Sequence, residues 1–161
     1  MIKKILMAVD LSVHSSHCRE YAAELLSKLQ AELVIVNVIN NIEIRGLQKI
    51  SKGIDSVSVD KYIEDQIKER TEKIEEMIKE MKADPDKVKV VVKTGVPFQQ
   101  ILMVMEEECV DLLLMGTKGR SNLADVLLGS TAEKMFRHSP IPVLAIPLKT
   151  EGLKCAANSK D

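Results

Sequence analysis

The chain has 161 residues, 45% hydrophobic and 29% charged, which is the length and composition of one ordinary globular domain with a single core. Its formal net charge is −1, and aromatic residues make up only 2% of it, with no Trp. These values argue against nucleic-acid binding, which needs a basic surface and, for single strands, aromatic platforms.

Cysteine usage and hydropathy indicate the compartment. Cys18, Cys109 and Cys155 are odd in number and far apart, which argues against a disulfide framework or a zinc site. The opening MIKKILMAVD resembles a signal peptide only briefly, because its apolar run ends at Asp10. No stretch approaches the roughly 18 consecutive apolar residues of a membrane-spanning helix. We therefore expect a cytoplasmic protein without a membrane anchor.

Five short apolar runs predict five strands. The runs are Ile5 to Val9, Glu32 to Ile39, Lys89 to Val92, Asp111 to Gly116 and Pro142 to Pro147. Each is dense in Val, Ile or Leu and is apolar on successive residues, as in strands that are buried on both faces of a parallel sheet.

Helical patterns separate these runs. Apolar residues recur every three or four positions from Tyr21 to Leu29, and again from Tyr62 to Met81 on a highly charged segment. Pro97 predicts the start of a third helix. The sequence STAE predicts a capping box at the start of a fourth, in which Ser130 accepts a hydrogen bond from the Glu133 N–H.

Alternating strands and helices predict an α/β fold, with an open parallel sheet covered by helices on both faces. The segment from Asn40 to Val59 is too long for an ordinary connection, so we expect a mobile or lid-like segment over the C-terminal edge of the sheet. We expect one domain over residues 1–148 and a loose polar tail over residues 149–161.

The segment GTKGRSNLADVLLGST, after the fourth predicted strand, is a candidate phosphate-binding element. It contains neither GxxxxGK[ST] nor GxGxxG, but Gly-x-x-Gly, nine residues and then Gly-Ser. Gly116 and Gly119 would let backbone N–H groups approach an anion closely. Gly129 and Ser130 lie at a predicted helix N-terminus, where the helix dipole favours negative charge.

Two interpretations of this segment remain open from the residues alone. Lys118 and Arg120 would supply counter-charge to a bound phosphate. Gly, Ser and Asn are also what a surface loop and a helix cap require, and Ser130 is expected as an N-cap even without a ligand. The two interpretations are about even on composition.

The residues MGTKGRSNLADVLLGSTAEKMFRHSPIPVLAIP resemble the C-terminal signature of the universal stress protein family. In that family, Gly-x-x-Gly, nine residues and Gly-Ser or Gly-Thr mark the members that bind ATP. KKILMAVDLS is similar to the family's first strand with its Asp-x-Ser ending, and TGVPFQQILMVMEEECVDLLLMG resembles its third helix and fourth strand. The resemblance extends from Met1 to about Leu148.

The resemblance implies a Rossmann-like fold with a five-stranded sheet in the order 3-2-1-4-5 and ATP between the ends of the first and fourth strands. It also implies a homodimer through antiparallel pairing of the last strand, Val143 to Ile146. Mg²⁺ would be held by the phosphates, because the sequence offers no all-protein carboxylate cage for it and hence no metal-binding residues.

The same resemblance assigns the candidate nucleotide-binding residues. By position, the adenosine side would be lined by Ala8, Val9 and Asp10, with Asp10 near the ribose hydroxyls, and Val38 would offer backbone contacts to adenine. The ribose and phosphates would be enclosed by Met115, Gly116, Gly119, Gly129, Ser130 and Thr131. Lys118 and Arg120 are an electrostatic addition of our own. The chain has Asn37 where many relatives have His and Ala8 where some have Pro, and we expect little effect from either.

The sequence offers few candidate catalytic residues. His14, His17 and Cys18 form a suggestive cluster, but with no third metal ligand in sight a solvated or structural role is favoured. We therefore expect no dedicated catalytic residue and at most weak ATPase activity. The leading hypothesis is an ATP-binding stress-response or signalling module. The alternatives are a nucleotide hydrolase of the same fold and a structural dimer module without nucleotide, against which the glycine motif counts.

Overall fold

Five parallel strands form one sheet in the order β3-β2-β1-β4-β5. The computed structural model of the chain describes residues 1–12, 15–51, 58–118 and 128–147. The strands are β1 Lys4–Ala8, β2 Glu32–Asn40, β3 Val88–Gly95, β4 Leu112–Gly116 and β5 Val143–Ile146. The α/β class and the strand order expected from the sequence are both confirmed.

In the described part of the chain, five α-helices connect or follow these strands. They are α1 Ser15–Leu29, α2 Asn41–Ser51, α3 Val59–Met81, α4 Pro97–Glu107 and α5 Ser130–His138. A short 3₁₀ turn, Pro85–Lys87, leads into β3. None of the described helices is both long and apolar enough to cross a bilayer.

Alternate residues of the central strands enter two different apolar layers. Ile5 and Met7 of β1 pack on one face of the sheet with buried residues of α1 and α3, whereas Leu6 packs on the other face with α4 and α5. Ile35 and Val36 divide in the same way along β2. Because side chains alternate across a strand, these successive apolar residues are all buried.

The segment from Asn40 to Val59 contains α2, which the sequence analysis did not predict. The Asn40 side chain accepts a hydrogen bond from the Ile42 N–H at 3.0 Å, and this contact stabilises the start of the helix. As expected, the segment reaches the C-terminal edge of the sheet, where Ile42 and Glu43 border a cavity. Its expected mobility stays a prediction, and residues 52–57 lie outside the described part of the chain.

The capping box predicted at Ser130 is wrong. Gly129 is the N-cap of α5, with extended backbone at φ −67° and ψ 155°, and no side chain caps the helix. The Glu133 N–H donates to the Gly129 carbonyl at 2.9 Å, while the Glu133 carboxylate pairs with Arg137 at 2.8 Å. The helix begins one residue earlier than a Ser130 cap requires, so Ser130 is its first helical residue.

The packing of α3 predicts a contrast between two isoleucines of that helix. Ile74 is fully buried between α3 and the sheet, whereas Ile67 is exposed. Ile74→Ala should lower the free energy of unfolding by about 2–5 kcal/mol, because the lost side chain leaves a cavity. Ile67→Ala should change it by only about 0.5 kcal/mol. Urea unfolding followed by circular dichroism measures both, and equal losses would contradict the described packing.

Candidate functional site

A cavity of about 430 Å³ opens at the C-terminal ends of β1, β2 and β4. From β1 the chain adds β2 and β3 on one side, and β4 and β5 on the other. The strand order therefore reverses at β1, which is where open α/β sheets form their ligand-binding crevice. The first turn of α5 and the start of α4 also border the cavity.

Most of the candidate residues named from the sequence lie around this cavity. It is lined by Ala8, Val9, Asp10, Val38, Met115, Gly116, Lys118, Gly129, Ser130 and Thr131. The other two candidates, Gly119 and Arg120, lie outside the described residues, as does His14. The structure thus brings together residues that are more than 100 positions apart in the sequence.

Asp10 is held in a tight turn directly after β1. Its Oδ1 atom accepts hydrogen bonds from the Ser12 backbone N–H at 3.0 Å and from the Ser12 hydroxyl at 2.7 Å. Leu11 between them has φ 60°, a left-handed conformation that costs free energy for any residue except glycine. The Asp-x-Ser sequence therefore fixes the carboxylate at the edge of the cavity.

One hydrogen bond joins the two halves of the glycine motif. The Gly129 N–H donates to the Thr117 carbonyl at 2.7 Å, and the Thr117 N–H donates to Ile146 of β5 at 3.0 Å. A Cβ atom at Gly116 would lie 3.2 Å from the Lys118 carbonyl oxygen, so a larger residue there would displace the loop. The end of β4 and the start of α5 thus form one surface despite the separation in sequence.

The first turn of α5 makes this surface favourable for an anion. Gly129, Ser130 and Thr131 line the cavity at the helix N-terminus, where the first backbone N–H groups have no partner within the helix. The helix dipole places partial positive charge at the same point. Lys118 lines the same cavity and adds a full positive charge.

Many of the other lining residues of the cavity are apolar. They are Val38 at the end of β2, Ile42 of α2, Pro97 and Ile101 of α4, and Met115 of β4. Ile42 is 75% exposed, so much of its side chain is accessible. A ligand that carries both an anionic group and an apolar surface would match this lining.

Several lining residues were not among the predicted binding residues: Cys18, Val36, Asn40, Ile42, Glu43, Pro97, Ile101, Thr117 and Ala132. Asn40, Pro97 and Thr117 lie at or just after strand ends, so their position is a signal that was available. Ile42 and Glu43 belong to the unpredicted α2, and no pattern in the sequence marks their approach to the cavity.

The buried side chain of Asn37 contacts Val9, a residue of the cavity lining. This side chain is only 1% exposed, and its amide donates to the Val9 carbonyl at 2.8 Å. The expectation that Asn at this position has little effect stays a prediction. The structure adds that the Asn37 side chain holds the residue before Asp10 through this hydrogen bond.

Cys18 of α1 forms part of the cavity wall close to Gly116. Its removal from solvent, together with the nearby Asp10 carboxylate, raises the pKa of the Cys18 thiol to about 11 from an ordinary 9.0. A thiol with this pKa is protonated and unreactive at neutral pH. Within the described ranges, no group of three or more His, Cys, Asp or Glu residues could hold a metal ion.

The sheet order and the cavity at its reversal point define a doubly wound α/β protein. The model of the universal stress protein family matches residues 1–147. The chain therefore belongs to the universal stress protein family, as the resemblance of its motifs indicated.

Curated relatives align over nearly their whole length. The universal stress protein MJ0577 of Methanocaldococcus jannaschii is 29% identical over 157 residues, which cover 92% of this chain and 97% of that protein. The universal stress protein YxiE of Bacillus subtilis is 29% identical over 152 residues, covering 91% and 99%.

Solved structures share the fold. The structure of MJ0577 superposes with a TM-score of 0.78 at 28% identity, covering 93% of this chain and 99% of that one. A universal stress protein in complex with cAMP gives 0.59 at 19% identity, covering 91% and 97%. The Archaeoglobus fulgidus universal stress protein in complex with dAMP gives 0.55 at 16% identity, covering 90% and 98%. At these identities the last two show the common fold alone.

The burial of Cys18 predicts a large difference in thiol reactivity. In a Cys109→Ser/Cys155→Ser variant, iodoacetamide at pH 9 should alkylate Cys18 more than about tenfold more slowly in native protein than in urea, because the native thiol stays protonated. The exposed Cys109, in a Cys18→Ser/Cys155→Ser variant, is the matched control and should react at similar rates in both. Rapid native alkylation of Cys18 would contradict its described burial.

Proposed function

We propose that the chain binds an adenine nucleotide, ATP with Mg²⁺ on its phosphates, and acts as a nucleotide-dependent stress-response or signalling module in the cytoplasm. The observation that carries the proposal is the cavity itself. The cavity combines an anion-favouring helix end and Lys118 with apolar lining residues. Asp10, which follows β1, lines the same cavity. Complexes of two family members with cAMP and dAMP give independent support for an adenine nucleotide as ligand.

The proposed arrangement follows the chemistry of the residues that line the cavity. Phosphates belong at Gly116, Lys118 and the first turn of α5, because donors and positive charge are concentrated there. From their place in the sequence we add Gly119, of the glycine motif, and Arg120, assigned for its charge alone. Asp10 is the carboxylate offered to the ribose hydroxyls, and the base belongs against apolar lining residues such as Val38.

The proposal includes slow or absent ATP turnover. A hydrolase must position or activate the attacking water in its site. Of the cavity-lining carboxylates, Asp10 accepts from Ser12 and Glu43 pairs with Arg70. Both therefore have structural partners. Steady multiple turnover that follows the protein through purification and disappears in Asp10→Asn would instead identify a nucleotide hydrolase of the same fold.

The ligand class can be identified directly. Freshly purified protein is denatured, and any released small molecule is analysed by mass spectrometry. An adenine nucleotide at near-stoichiometric yield supports the proposal, and a non-nucleotide ligand released at that yield would contradict it.

Lys118 should discriminate between charged and neutral ligands. Lys118→Ala should weaken ATP binding by about five- to tenfold, because one charge-assisted contact to phosphate is lost. Adenosine, which has no phosphate, should bind the variant as it binds the wild type. Lys134→Ala is the matched control, since Lys134 is an exposed lysine of α5 that does not line the cavity. Isothermal titration calorimetry measures all three proteins, and equal losses for ATP and adenosine would contradict the phosphate assignment.

The proposal also includes a homodimer formed by antiparallel pairing of β5, Val143–Ile146. In the described sheet β5 is an edge strand that pairs only with β4, and unpaired strand edges favour association. Analytical ultracentrifugation at micromolar concentration should give twice the monomer mass of 17.9 kDa. A single monomeric species under these conditions would count against the dimer.

A further inference from the structure

A buried arginine of α3 contacts a residue that lines the cavity. Arg70 occupies the same stripe of α3 as the buried Ile74, Met77 and Met81, and it is only 4% exposed. A buried guanidinium is destabilising unless its charge and its N–H groups have partners. The structure supplies them on three sides, and the identity of these partners points to a role in the site.

The three partners of Arg70 lie on different elements. Its Nη1 donates to Asn37 Oδ1 of β2 at 3.0 Å, and its Nη2 donates to Glu43 Oε2 of α2 at 2.8 Å. Its Nε donates to Gln66 Oε1, one turn earlier on α3, at 3.3 Å. The guanidinium therefore connects the end of β2 to the first turn of α2.

Through these partners Arg70 reaches two walls of the cavity. Asn37 donates to the Val9 carbonyl, so the contact continues to the residue before Asp10. Glu43 and its neighbour Ile42 form the wall contributed by α2. Arg70 itself does not line the cavity, so its effect on a ligand must pass through Asn37 and Glu43.

The first turn of α2 is only partly buried. Ile42 is mostly exposed, and Ile44 and Glu43 are partly buried. The ion pair between Glu43 and the buried Arg70 is a tertiary contact that connects this turn to α3. Because one partner is buried, solvent and salt screen this pair much less than an exposed pair.

We propose that Arg70 is a positioning residue that fixes the first turn of α2, with Ile42 and Glu43, against the cavity and thereby sets the affinity of the site for its ligand. The second part of this inference, the effect on ligand affinity, rests on the proposed nucleotide binding. Its first part, the fixing of α2, concerns the ligand-free protein and is tested separately.

A second ion pair on α3 provides the matched control. Arg19 of α1 pairs with Glu80, near the C-terminal end of α3, and neither residue lines the cavity. Arg19→Met and Arg70→Met thus each remove the arginine of an ion pair between α3 and another helix. Only Arg70→Met removes a contact to α2.

The first experiment is hydrogen exchange of the ligand-free proteins, read by mass spectrometry. Arg70→Met should accelerate exchange of the α2 amides that are bonded within the helix by about tenfold or more, because the local opening of a segment reflects the contacts that hold it. Arg19→Met should leave α2 unchanged. If Arg70→Met does not fold, Glu43→Ala replaces it, since that side chain is partly solvent-exposed. Unchanged exchange in α2 would overturn the inference.

The second experiment measures binding of ATP and of adenosine to wild type, Arg70→Met, Glu43→Ala, the double variant and Arg19→Met. Arg70→Met and Glu43→Ala should each weaken binding of both ligands by about tenfold, and the double variant by no more than Arg70→Met alone, because Arg70→Met already breaks the contact that Glu43→Ala removes. Arg19→Met should bind both ligands like the wild type.

Other results are equally decisive. A loss confined to ATP would show that Arg70 acts through its charge, and additive losses would show that Glu43 contacts the ligand directly. Either result overturns the positioning role. A wild type that binds no adenine nucleotide contradicts the proposed function, while hydrogen exchange still decides whether Arg70 fixes α2.

Discussion

The reversal of strand order at β1 is the constraint on which the rest of the structure depends. β1 is flanked by β2 and β4, so the connections that leave β1 and β4 pass to opposite faces of the sheet. The C-terminal ends of these strands are left open between them, because no connection crosses at that point. The turn after β1, Thr117 and Lys118 after β4, and the N-terminus of α5 meet there, which concentrates backbone donors in one place.

The polar groups that the core accommodates lie beside this opening. Among the described residues, Asn37 and Arg70 are the buried polar or charged side chains, and they contact each other at 3.0 Å. Elsewhere the two faces of the sheet are packed with aliphatic residues and methionine. A buried charge adds little to stability compared with an apolar residue of similar volume, which agrees with the positioning role that we propose for Arg70. The strained turn at Leu11 is found at the same edge of the sheet.

The strands were predictable because burial on both faces produces unbroken apolar runs. The strand order was not available from periodicity and came from the resemblance to a family, which the structure then confirmed. α2 was missed because Asn41 and Gly46 resemble loop residues and the isoleucines nearby are spaced two apart. The Ser130 cap was wrong by a single residue, which is the usual uncertainty of a helix boundary.

The connection between Asn37 and Arg70 could not be derived from the sequence, because it joins positions 33 residues apart. A partial signal existed. The apolar stripe of α3 includes Ile67 and Ile74, and Arg70 stands at the position between them where an apolar residue would continue the stripe. A charged residue at a core position of an amphipathic helix indicates a buried partner. The identity of that partner requires the three-dimensional fold.

We propose that the cavity at the strand reversal is an adenine-nucleotide site. Titration of nucleotide-free protein with MgATP in a calorimeter tests this proposal most directly. We expect saturable binding with one site per chain, and competition by other adenine nucleotides. No heat of binding up to millimolar MgATP, with the protein folded by circular dichroism, would contradict it.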